Sequence, residues 1–477
     1  MAYSCKIKIQ HFEKVIEDNL PQLWLAIEFI LAIKSIMNIA HVTLPWFGIL
    51  LGRASSLKTA GIEALRNTPG TLYTDIFTAK AFVSNSTAVS KDKLKDIDLL
   101  PKIKDKLFLV SELSAQFTKK EEEVHEILGI FTRLADGHGL RTDTGAHGSR
   151  GYGDTYFNMI GAAVDIPYKV YKLLGYLGPK LYFLRLPKTD KKEDEYLTEM
   201  FHDEYPVRFE KVRNALNDYL NVFMSCPDME FEKESKLSRI PWSKNDGRAA
   251  SRLIVRLAIL LSHLRAVVTT FGDTYGRGGT DYAYATTQRE DPSRAITQLR
   301  NLARGNALSQ GRTNIAMEDI LLIIKVALST APIDRVNVFN LLILHKGTLR
   351  TSVIEASLNM SDQTARRTMT ELKAIELVDM SKSEASNHEL EINLKDTFKW
   401  FLTEQFAKLR EGFTPTDNSE VLKDDERARE REKSLKEKLP PSSEQEETKS
   451  IAKIECAKCG EKSDPFYMKI HHCEGTD

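Results

Sequence analysis

Residues 42–67, VTLPWFGILLGRASSLKTAGIEALRN, place an apolar run, a short polar loop and a helical pattern in immediate succession. A strand that turns through such a loop into a helix gathers backbone N–H groups at one point, and an anion fits there. The loop matches GxxxxGK(S/T) with one change: Gly52 opens it, Lys58 and Thr59 close it, and Leu57 stands where the second glycine belongs. In that pattern the lysine neutralises the β- and γ-phosphates and the hydroxyl ligates Mg²⁺. The expected ligands are therefore ATP and Mg²⁺, held by Gly52, Ser55, Ser56, Lys58 and Thr59. The same serines also suit a plain helix cap, which is the competing reading.

The rest of the chain predicts a soluble protein of several domains. It has 477 residues, and Lys+Arg equals Asp+Glu at 67 each, so any nucleic-acid surface must be local. Five cysteines, three of them in the last stretch, point to a reducing compartment and a metal site, and the chain is read as cytoplasmic. The apolar run 23–40 carries Glu28 and Lys34 and is too short and too charged to span a bilayer, so no membrane is expected.

Six segments follow from the patterning. Residues 1–41 read as N-terminal helices, and 42–190 as an α/β core with a parallel sheet. Residues 191–333 read as a helical connector and lid, with a loop insertion at 272–287. Residues 334–400 read as a winged helix, 401–453 as a charged linker, and 454–477 as a zinc-binding tail. Strands are expected near 42–51, 71–78, 104–113, 155–165 and 177–187, with a glycine-tipped hairpin at 139–165.

Chemistry concentrates in a few places. LFLVSEL (107–113) is a buried strand ending in Ser111-Glu112. Glu112 is the candidate general base, and Ser111 takes the place of a metal-binding aspartate. In the winged helix, SDQTARRTMTELKAI (361–375) is the recognition helix. Ser361 caps it, and Ala365, Met369 and Leu372 form its buried stripe. Gln363, Arg366 and Arg367 face outward toward DNA, although such modules also dock proteins. At the C-terminus, Cys456 and Cys459 with His471 and Cys473 form the expected Zn²⁺ set.

The order of loop lysine, acid-ended strand, helix, glycine-tipped hairpin, apolar strand and basic residue before another strand resembles an AAA+ ATPase core. Within that class it is most similar to the minichromosome-maintenance (MCM) helicase branch, by residues 139–167, 176–187 and 292–328. The resemblance implies a P-loop NTPase fold with a helical lid and a terminal winged helix, forming a homo-oligomeric ring, such as a hexamer. It also implies Arg294 as the lid sensor arginine and a trans-acting finger at Lys180, or at Arg185 as second choice. Arg141, His147 and Arg150 become the cations of a hairpin that grips DNA. The expected function is ATP-driven motion or remodelling on DNA. The alternatives are an ATP-sensing winged-helix regulator and a protein-remodelling chaperone.

Overall fold

In a computed structural model, five short strands pair into one parallel sheet. The structure describes residues 3–54, 56–90, 93–145, 147–178, 180–187, 192–201, 204–225, 230–232, 237–243, 245–268, 270–273, 281–284, 287–383, 386–411, 454–455 and 462–463.

Two N-terminal helices, α1 (Tyr3–Asn19) and α2 (Trp24–Ile36), lead into β1 (Phe47–Leu51) and α3 (Lys58–Ala64). Edge strand β2 (Thr71–Thr74) follows, then the short helices α4 (Leu94–Ile97) and α5 (Leu99–Ile103), and β3 (Leu107–Val110). Helices α6 (Ser114–Phe117) and α7 (Glu121–Leu134) precede a hairpin of β4 (Arg141–Thr144) and β5 (Gly148–Gly151). Strand β6 (Asn158–Ala163), helix α8 (Tyr168–Leu177) and strand β7 (Leu181–Arg185) complete the core. The sheet runs β2-β3-β6-β1-β7, with every pairing parallel. Strands β1, β3 and β6 are buried along their whole length, as a sheet covered on both faces requires.

Asn158 ties the sheet to the N-terminal helices. Its amide donates to the Ile33 carbonyl at 2.7 Å and accepts from the Trp46 N–H at 2.9 Å. Trp46 in turn donates from Nε1 to the Gln298 carbonyl at 3.0 Å.

Helices α9 (Glu193–Phe201), α10 (Tyr205–Met224) and α11 (Arg248–Leu264) follow, with the hairpin strands β8 (Glu230–Glu232) and β9 (Leu237–Arg239) between the last two. The expected loop at 272–287 contains an antiparallel pair, β10 (Thr270–Asp273) and β11 (Asp281–Tyr284). Its glycines and polar residues mask the alternation that marks a strand. Helices α12 (Ser293–Ser309) and α13 (Ile320–Ser329) then pack on the core. A Cβ at Gly305 of α12 would stand 2.1 Å from the Ala32 carbonyl oxygen, so only glycine permits this approach to α2.

The last part of this unit is α14 (Ile333–Leu344), β12 (Thr348–Arg350), α15 (Thr351–Leu358), α16 (Asp362–Ala374), β13 (Val378–Ser383) and β14 (Ser386–Leu394), followed by α17 (Glu404–Arg410). Its three strands form an antiparallel sheet in the order β12-β14-β13. Ser361 caps α16 by accepting from Thr364 N–H, and Ala365, Met369 and Leu372 are fully buried, as the pattern predicts. Residues 420–477 form a second unit in which β15 (Ile454–Glu455) pairs with β16 (Lys462–Ser463). Cys456, Cys459, His471 and Cys473 lie outside the described residues. Among the described residues no helix is long and apolar enough to cross a membrane.

Candidate nucleotide site

Parallel strands deliver their following loops to one edge of the sheet, and the candidate chemistry collects there. The loop after β1 opens at Gly52, whose N–H donates to the Ala163 carbonyl at 3.3 Å. A Cβ at Gly52 would stand 2.4 Å from Ser56 Oγ, so a larger residue there would displace the Ser56 hydroxyl from its place in the loop. The loop ends at Leu57, which is left-handed with φ 60° and ψ 9°. This conformation costs a non-glycine residue about 1–2 kcal/mol, and it occurs where the phosphate-loop pattern places glycine. Leu57→Gly is therefore expected to exceed Leu57→Ala in unfolding free energy by about 1 kcal/mol, the reverse of their order in a helix. Urea unfolding of the two variants measures it; an alanine variant equal to the glycine variant would refute the strain.

Lys58, the first residue of α3, is 6% exposed, and its Nζ donates to the Arg53 carbonyl at 3.0 Å. Burial lowers its pKa, while the nearby Glu112 carboxylate works the other way. Lys58 is thus a desolvated cation held by a loop carbonyl and within the field of Glu112. Thr59 is half-buried beside it, and Ser55 lies outside the described residues.

The acid-ended strand is present, in a particular arrangement. Glu112 accepts from the Ser114 N–H at 2.6 Å and so satisfies the start of α6. Ser111 is 6% exposed, and its Oγ donates to Asp75 Oδ1 at 2.8 Å. The Tyr73 hydroxyl donates to the same oxygen at 2.7 Å. These two hydrogen bonds hold the Asp75 carboxyl below the usual carboxylate range. Sequence reasoning missed Asp75, because it follows another strand and lies 36 positions from Ser111.

Arg185 and Lys180 lie at opposite ends of β7. The register pairs Leu51 with Arg185 and Phe47 with Leu181. Arg185 therefore stands beside its own chain's loop, where its guanidinium meets Asp165 at 2.9 Å. That position does not suit a finger reaching into another subunit. Lys180 precedes β7 and lies about 16 Å away along the strand, at 3.3 Å per residue. There it donates to the Thr132 carbonyl at 3.2 Å and pairs with Asp136. Arg294 converges on the same carboxylate at 2.6 Å and on the Ala135 carbonyl at 2.9 Å. Burial opposes ionisation of Asp136, but Lys180 and Arg294 outweigh it and lower its pKa. Neither cation is at its own chain's phosphate loop.

The hairpin cations do not act as one set. The Arg150 side chain is only 8% exposed: it pairs with the fully buried Asp98 at 2.7 Å and donates to the Ser84 carbonyl. Its side chain anchors the hairpin and is not presented at the tip, which corrects the expectation that it grips DNA. His147 Nε2 lies 2.9 Å from the Ser86 carbonyl, so it too faces the 84–98 segment. Arg141 is exposed. On α16, Gln363 is exposed, while Arg366 meets both Asp362 oxygens at 2.7 and 2.8 Å. Arg367 is exposed, bonds Glu371 at 3.1 Å and lies over the exposed Tyr168 ring at 5.7 Å. No protein-family model matches this chain, and no curated protein does either.

Proposed function

We propose that the chain is an oligomeric ATPase acting on DNA, an AAA+ protein of the MCM-like kind. The observation that carries this reading is the buried Lys58 at the end of a loop closed by a left-handed residue, with Glu112 within its field, at the carboxyl edge of a parallel sheet. ATP would lie along the loop from Gly52 to Thr59, with Lys58 on the β- and γ-phosphates. Thr59 would hold Mg²⁺, which would supply positive charge against the phosphates. Glu112 would orient the attacking water after giving up its bond to Ser114 N–H.

The position of Lys180 and Arg294 supports action between subunits. Both sit at the amino edge of the sheet, so they can meet a nucleotide only on a second copy. Asp136 would hold them together until that copy arrives. Their ring would carry the β4–β5 hairpin at the same edge, which supports coupling of hydrolysis to a strand of DNA.

For DNA, the reading relies on exposed Arg141 and on the module 333–394. Its order of helix, strand, two helices and two strands supports the winged-helix reading, in which α16 would be the recognition helix. Arg366 would exchange Asp362 for a phosphate or a guanine at small cost, since an exposed i,i+4 pair is worth about 0.3–0.5 kcal/mol. The tail residues Cys456, Cys459, His471 and Cys473 would hold Zn²⁺ as a structural knuckle.

The test is ATP hydrolysis with and without single- and double-stranded DNA. Turnover stimulated by DNA is expected, falling at least about 100-fold in Glu112→Gln, the scale of general-base loss. Lys58→Ala is expected to abolish nucleotide binding. Binding that needs Lys58 without any turnover would discard the motor and leave a nucleotide-sensing regulator.

A further inference from the structure

Resting on the nucleotide-site reading, the geometry points to Asp75 as the carboxylate that serves the nucleotide-bound divalent cation, acting through the Ser111 hydroxyl. The strand that ends at the site lacks the expected aspartate and offers Ser111 instead. A serine alone brings no charge to a cation. Yet this hydroxyl is buried and committed: an ionised carboxylate only accepts, so Ser111 directs its single proton at Asp75 Oδ1, 2.8 Å away. The lone pairs of Ser111 Oγ then remain to accept from a water on the cation. The negative charge of Asp75 stands one hydrogen bond behind them and makes that oxygen a better acceptor.

The arrangement is held in place. Asp75 directly follows β2, and the Ser111 N–H donates to the Thr74 carbonyl at 3.2 Å, so the backbone fixes the two residues side by side. The Tyr73 hydroxyl occupies a second direction on Oδ1 and fixes the carboxylate's orientation. Such an outer ligand fits Mg²⁺, which keeps several waters and touches protein through few groups. Asp75 is a positioning residue, since it reaches the cation only through Ser111 and water.

The experiment is Mg²⁺ titration of the binding of a fluorescent ATP analogue to the full chain. Asp75→Asn and Ser111→Ala are each expected to raise the Mg²⁺ midpoint about 10-fold or more, the effect of losing an outer-shell partner. Ser111→Asp in the Asp75→Asn background is expected to restore the midpoint, because the charge returns one position closer. A merely structural tie between β2 and β3 would lower thermal stability in Asp75→Asn and leave the midpoint where it was; that result overturns the inference. Lys58→Ala, titrated in parallel, separates the two levels. If it leaves nucleotide affinity unchanged, the site reading falls and the inference with it. If it abolishes binding while Asp75→Asn shifts nothing, the inference alone falls.

Discussion

Asp98→Ala is expected to cost about 3–5 kcal/mol of folding stability, the usual penalty for removing one partner of a buried ion pair. Asp98 is fully buried and accepts three hydrogen bonds: from Ser84 N–H at 2.6 Å, Arg150 at 2.7 Å and the Tyr152 hydroxyl at 2.6 Å. Alanine leaves the Arg150 guanidinium without its counter-charge in a site that water barely enters. Urea unfolding measures the loss. Adding Arg150→Met is expected to recover part of it, because two apolar groups replace an orphaned charge. Tyr152 supplies a second readout. Burial, together with its hydrogen bond to the Asp98 charge, pushes Tyr152 up to about 12. In the variant its phenolate absorbance should appear at lower pH. A loss below about 1 kcal/mol would mean that the pair behaves as a surface bridge. Because the same carboxylate anchors the β4–β5 hairpin, DNA stimulation of any ATPase should fall with it.

Lys34→Met is expected to act in the opposite direction. Burial pushes Lys34 down from 10.5 to about 8, and among the described residues its Nζ hydrogen-bonds only the Pro69 carbonyl, at 2.6 Å. The folded-state value lies below the unfolded one. Between pH 8 and 10.5 the unfolded chain therefore binds more protons, and stability rises with pH across that window. Below it the charged lysine costs about 3 kcal/mol, partly offset by roughly 1–2 kcal/mol from its bond to Pro69. The methionine variant should gain about 1–2 kcal/mol at neutral pH, and the gain should fade as the wild type is carried up through the window. Unfolding midpoints at neutral and alkaline pH check it. A variant less stable than wild type at neutral pH would show that the carbonyl bond outweighs the buried charge.

The strands of the sheet were legible because FGILL, LFLV and LYFLR are short apolar runs bounded by turn residues. The Ser361 cap and the buried stripe of α16 were legible for the same local reason. Strand β12 was not, since three residues running straight into a helix carry no period. Helix α8 merged with the apolar runs on either side of it. Lys58 and Glu112 could be named from spacing, and the structure brings them near one another. Asp75, Asp98 and Asp136 could not, because each works with partners on distant elements. No local pattern distinguishes such an aspartate from a solvated one. The opposite placement of Lys180 and Arg185 likewise follows from the parallel register and is invisible in their spacing of five residues.

The close fit of Gly305 against the Ala32 carbonyl also bears on how the chain comes off the ribosome. Helix α2 is almost wholly apolar on its buried side, and much of the surface that covers it belongs to α12, made roughly 270 residues later. At about 5–20 residues per second, α2 waits on the order of 15–50 seconds for that cover. During this interval Ile30 and Ile33 can pack against Gly61 of α3 and Gly48 of β1, but the face around Ala32 and Ile36 that meets Gly305 stays uncovered. The nascent chain thus passes through a long-lived state with a sticky amino-terminal helix, and its yield in cells should depend on chaperone capacity more than on the stability of the finished fold.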